Sequence, residues 1–127
     1  DVLETCSPNI GAWDVSHVTG MKRMFWSASA FNQTLNSWNV SSVTDMQQMF
    51  GYASGLNQPL NSWDVSSVTL MGSMFESASA FNQNLSMWQL SDIAYTGDIF
   101  KDATRMCEEP SYWPDVDVDD TGCPINI

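Results

Sequence analysis

Tryptophan recurs at one fixed interval in this chain: Trp13, Trp38, Trp63, Trp88 and Trp113 each stand 25 residues after the last. No insertion disturbs the count. A repeat of this length means that each unit buries its apolar face on its neighbours, so the chain builds a long surface and not a closed active-site pocket. The first three full units, beginning at Trp13, Trp38 and Trp63, align closely. The fourth, from Trp88, is degraded, and a half-unit with Cys6 in the slot of Phe31 precedes Trp13.

Aligned on the tryptophans, apolar residues form columns. Val15, Val40, Val65 and Leu90 make one; Val18, Val43, Val68 and Ile93 another. Met24, Met49, Met74 and Ile99, then Phe25, Phe50, Phe75 and Phe100, then Leu35, Leu60 and Leu85 follow. Positions between the columns vary, so each unit has a fixed inside and a changeable outside. Met21, Met24, Phe25 and Ala28 fall at i, i+3, i+4 and i+7, the spacing of one helical face, and the Thr19, Thr44 and Thr69 column sits where a hydroxyl could cap its first turn. Residues 31–35 suit an extended segment. The spacing therefore predicts an α/β solenoid of 25-residue coils, each a short strand plus a short helix. It divides as one domain over residues 1–127: a partial first coil (1–12), four repeats (13–112) and an acidic C-terminal cap (113–127). The Asn32, Asn57, Asn82 and Gln33, Gln58, Gln83 columns are read as coil-to-coil hydrogen bonding and not as a ligand strip, because only stacking residues must repeat.

The string W-D-V-S-x-V-T-x-M-x-x-M-F-x-x-A-x-x-F-N-Q-x-L resembles the bacterial surface-protein repeat of the DUF285 family and is similar to the BspA-type leucine-rich repeats. It covers the chain from Cys6 to Trp113. The resemblance implies a leucine-rich-repeat-like solenoid, an extracellular or cell-surface location, and a role in adhesion or surface binding. It carries no catalytic residues onto this sequence. The ending, with Cys107 and Cys123 around a proline-containing segment, looks like the terminal cap of algal or protist members.

The net charge of -11, from 15 acidic against 4 basic residues, excludes nucleic acid as an expected partner, since phosphates need Lys and Arg to neutralise them. It likewise disfavours anionic membrane surfaces, and no apolar run is long enough for membrane insertion. Eight of the acids lie from Asp98 onward. Asp1 falls inside a coil, so the chain is expected to be a mature form or an excised fragment. Of three cysteines, Cys107 and Cys123 can pair in the cap; Cys6 lies about four coils away, near 20 Å at strand spacing, beyond any disulfide. Sequons at Asn32, Asn39 and Asn84 mark glycosylation candidates, with Asn39 foremost because it replaces Asp14 and Asp64 at a turn.

Asp115, Asp117 and Asp119 alternate as calcium ligands do, but the loop lacks the glycine and distal glutamate of a calcium hand, so it is read first as a solvated tail and second as a weak calcium site. No other cofactor is expected. His17, the only histidine, aligns with Ser42, Ser67 and Asp92, which marks a surface position and leaves no nucleophile–base pair; an enzyme is not expected. Trp26 stands outside the columns and, with Tyr52 one coil on, is a candidate anchor for a protein or a sugar ring. Cys6 and Ile10 sit at the N-terminal end, where an uncovered coil predicts docking or self-association. The expected function is a non-catalytic extracellular repeat module for protein or glycan recognition at a cell surface. The alternative is a structural subunit of a larger assembly or surface fibre, joined through open solenoid ends.

Overall fold

The computed structural model describes residues 8–124. Within them the 25-residue units stack parallel and in register, with Gly20 bridged to Asp45, Asp45 to Leu70 and Leu70 to Tyr95. These bridges are isolated. Among the described residues no strand forms, and helical segments are confined to Ile10–Ala12, Thr104–Cys107, Pro110–Tyr112 and Val118–Asp120. The α/β solenoid expected above, with a strand and a helix in every coil, is therefore wrong. Each coil is a string of reverse turns.

The misreading has a physical cause. Met24 N–H donates to the Met21 carbonyl, and Ala28 N–H to Phe25, each closing a four-residue turn. The two ends of a reverse turn lie side by side, so back-to-back turns place residues 21, 24, 25 and 28 together just as a helix would. The third residue of each turn is left-handed: Arg23 and Ser27, then Gln48 and Tyr52, Ser73 and Ser77, Asp98 and Asp102 all have φ between 55° and 60°. That conformation costs a non-glycine residue about 1–2 kcal/mol. It is offset by what it aims. The N–H groups of Met21, Arg23, Phe25 and Ser27 all point at the next coil and donate to the carbonyls of Asp45, Gln47, Met49 and Gly51 at 2.8–3.0 Å. A helix would have spent these donors inside the coil. Coils two and three repeat the pattern, through Met46 to Tyr52 and through Met71 to Ser77. The threonines cap no helix: Thr44 and Thr69 donate both N–H and hydroxyl to the threonine carbonyl of the preceding coil.

Side chains lock the same register. Phe25, Phe50, Phe75 and Phe100 form a ladder of rings with centroids 5.5, 5.5 and 5.8 Å apart. Trp38, Trp63 and Trp88 are buried, and each indole N–H reaches back to a carbonyl 28 residues earlier, of Ile10, Leu35 and Leu60. Asn32 and Asn57 each accept at the side-chain oxygen from the backbone N–H of the next asparagine and from the glutamine after it. The column members of coil one behave differently. Val43 and Met49 are fully buried under coil one, while their column-mates Val18 and Met24 are exposed and Trp13 is 51% exposed, so the fixed inside expected of every unit is incomplete in coil one.

The corner after each early tryptophan is an Asx turn. Asp14, Asn39 and Asp64 each accept from the N–H and hydroxyl of the serine two residues on, at 3.0–3.1 and 2.6 Å. This lets Val15, Val40 and Val65 close turns onto Val18, Val43 and Val68. Coil four has Gln89, whose extra methylene cannot reach. The turn slips one residue, Ala94 N–H bonding the Ser91 carbonyl, and Ile93 swings out to 77% exposure, contrary to its assignment to a core column. Gln89→Asp should restore the bond, draw Ile93 inward and raise stability by about 1 kcal/mol, measured by chemical denaturation.

The serine hydroxyls, then the serine N–H groups, hold the Asp14 and Asp64 carboxyls below their usual value of 3.8; His17 helps at Asp14. A carboxyl lowered in the folded state stabilises above its unfolded value and loses that contribution as pH falls below it. Acid unfolding should therefore set in below about pH 4. Asp14→Asn with Asp64→Asn, the residue coil two already uses, should shift its midpoint to lower pH. An acid titration followed by tryptophan fluorescence checks this.

Candidate functional site

The outer side of residues 20–27 and their equivalents carries the variable side chains. In the first two coils it bears Trp26 and Tyr52. The Trp26 ring lies over Gly51, where a Cβ would collide with it. Tyr52 meets the indole edge-on, with ring centroids 4.9 Å apart and planes at 67°. The Arg23 guanidinium stands 5.1 Å from the indole centroid, within cation–π range, and its Nε donates to Gln48. The Tyr52 hydroxyl donates to Glu76 at 3.2 Å. Trp26 is thus half-buried and held in place, and Tyr52 is 44% exposed.

Two coils on, sequence reasoning missed a second aromatic position. Tyr95 is 59% exposed and lies over Gly72 and Gly97, neither of which has room for a Cβ, and Leu70 is exposed in the same column. The signal was partly available: of the glycines in this segment, Gly51, Gly72 and Gly97 each lie beneath an aromatic ring, whereas Gly20 has nothing over it. Rings seated on bare backbone are rigid, and the intervening Gln47, Gln48 and Ser73 offer hydrogen-bonding groups.

The other candidates are scattered. Cys6 lies outside the described residues. Ile10 is buried and its carbonyl accepts from Trp38, so its side chain is no docking surface. Asn39, Asn32 and Asn84 are all exposed, each with its side-chain oxygen engaged, at Ser41, Asn57 and Ser86 respectively. Asp117 spends a carboxylate oxygen on the N–H of Asp119, at the start of Val118–Asp120. Among the described residues no group of three acidic, histidine or cysteine side chains is gathered to hold a metal ion. Cys107 and Cys123 are joined, with Cα atoms 5.4 Å apart. A cleft of about 500 Å³, rimmed by Asp92, Asp115, Asp117 and Asp120, separates coil four from the segment 114–124, the C-terminal strap.

Compared with known proteins, residues 2–113 match the family described as "Mycoplasma protein of unknown function, DUF285". No curated protein and no solved structure matches the chain.

Proposed function

The chain belongs to the DUF285 family, which has no assigned function, and from that premise we propose that it is a non-catalytic repeat module recognising a protein or glycan at a cell surface. The observation that carries this reading is the pair Trp26 and Tyr52, fixed on the outside of the stack by Gly51, Arg23 and Glu76. Exposed aromatic rings that lose little freedom on binding are efficient anchors for apolar protein surfaces and for the C–H faces of sugars. The Cys107–Cys123 bond suits an oxidising, extracellular setting. The charge of -11 keeps nucleic acid and anionic lipid away.

The test is binding of the oxidised chain to a glycan array and to intact cells before and after surface proteolysis. Tyr52→Ala and Trp26→Ala should each weaken binding at least tenfold, as removal of an interface anchor does. Binding that survives proteolysis identifies a glycan; binding that it abolishes identifies a protein. Undiminished binding by both variants, or none to array or cells, defeats the proposal.

A further inference from the structure

Tyr95 shares with Trp26 a seat on bare backbone but differs in what reaches it from outside. The Trp26 indole has Gly51 beneath it, the Arg23 guanidinium 5.1 Å from its centroid and Tyr52 packed edge-on against it. Tyr52 in turn spends its hydroxyl on Glu76. Around Tyr95, among the described residues, no second aromatic ring packs and no cation stands over the ring.

Two glycines lay this ring flat. Residue 22 and its equivalents are Lys22, Gln47, Gly72 and Gly97, so long side chains give way to bare backbone in the two coils that Tyr95 covers. A Cβ on Gly72 would stand 2.7 Å from Cε2 and 3.1 Å from Cδ2 of Tyr95. One on Gly97 would stand 2.6 Å from Cζ and 3.1 Å from Cε1. One edge of the ring therefore rests on coil three and the opposite edge on coil four. One face lies against the backbone, the other is turned to solvent, and the residue is 59% exposed. A tyrosine that merely trailed into solvent would need no such floor.

We propose that the outward face of Tyr95 is a stacking platform for an uncharged sugar ring, so that the ligand of this surface is a neutral glycan. The inference rests on the reading of the Trp26 and Tyr52 side as the recognising surface, and extends it across coils three and four. A flat aromatic face takes the C–H side of a pyranose. Ser73 and Asp98, each one residue beyond a seating glycine, supply groups that bond sugar hydroxyls. An anchor for a protein works best inside a rim of neighbours that excludes water. The surroundings here are polar and open, with Leu70, 38% exposed, as the apolar exception. Charge selects among sugars. In coils two to four the outer side bears Asp45, Glu76, Asp98 and Asp102 against Lys101, which repels carboxylated and sulfated glycans and leaves neutral ones unopposed.

Binding of the oxidised chain to an array of neutral and acidic oligosaccharides tests this, with Tyr95→Ala, Tyr95→Phe and Gly97→Ala beside the wild type. Neutral members should bind, and Tyr95→Ala should weaken them at least tenfold, as loss of an anchor does. Tyr95→Phe keeps the ring face and should bind nearly as the wild type. Gly97→Ala removes no recognising side chain. Its backbone is not left-handed, and the nearest atoms its methyl meets all belong to Tyr95, so it lifts the ring and should weaken binding as well. Tryptophan fluorescence and denaturation midpoints check that each variant stays folded. Binding lost in Trp26→Ala and Tyr52→Ala but kept in Tyr95→Ala overturns the platform and leaves the recognising surface standing. Tyr95→Phe as weak as Tyr95→Ala overturns stacking. Binding confined to acidic oligosaccharides, or to components of cells that proteolysis removes, overturns the neutral glycan alone.

Discussion

Trp63→Ala should cost about 3–5 kcal/mol, the range for emptying a large aromatic from a close-packed core, whereas Trp13→Ala should cost under about 1 kcal/mol. The same residue type at the same repeat position separates because its cover differs. Trp63 is buried between neighbouring coils, stacked against Phe50 at 6.1 Å and Trp88 at 6.4 Å, with its indole N–H on the Leu35 carbonyl at 2.8 Å. Trp13 has no described coil in front of it and is half exposed. Trp63→Phe divides the loss further: it keeps most of the apolar contact but leaves the Leu35 carbonyl unpaired in a buried place, worth about 1–3 kcal/mol. Chemical denaturation of the three variants checks the order. Equal losses at Trp13 and Trp63 would mean that coil one is covered in solution.

The repeat made inside and outside legible, because stacking forces every column to recur. Val43, Met46, Phe50, Leu60 and Trp63 are buried as their columns require. The backbone was not legible. Spacing i, i+3, i+4, i+7 has two solutions, one turn of helix after another or one reverse turn after another, and no apolar pattern separates them. What decides is the fate of the backbone donors. A helix satisfies them locally, but in a stack only one coil wide alternate N–H groups can satisfy the next coil instead, as Arg23 does with Gln47. The left-handed residues that this requires, Arg23 and Ser27 among them, are not glycines, so the usual marker is missing.

The candidate site was half legible. Trp26 drew notice by breaking a column, and its partner Tyr52 was found by counting one coil on. The role of Gly51 shows only in the fold, since a glycine in a variable position reads as mere tolerance until a ring is seen lying on it. Tyr95 was lost because it sits in the degraded coil, where departures from the pattern look like decay. Ile93 is such a departure, and Gln89 explains it.

Loss of the Cys107–Cys123 bond should destabilise the chain by about 3 kcal/mol, the chain-entropy value for a loop near 16 residues. The damage should also be local. In a stack each coil is held by its neighbours alone, and coil four is the poorest of the set: its Asx turn is missing, Ile93 is exposed, and of its forward donors only Phe100 is strongly bonded, to the strap. Without the disulfide the strap loses its anchor. Thr121 then leaves its buried position, Phe100 loses its acceptor, and Trp113, whose indole N–H reaches only to Met106, has less to rest on. Coils two and three keep their own ladders and their tryptophans. In Cys107→Ser with Cys123→Ser, backbone amides from about residue 96 onward should exchange hydrogen many times faster. Those of Met46, Phe50, Met71 and Phe75 should stay protected until global unfolding. Hydrogen exchange read residue by residue decides it. Uniform loss of protection through all coils would mean that the stack unfolds as one unit and that the cap holds every coil, not the last alone.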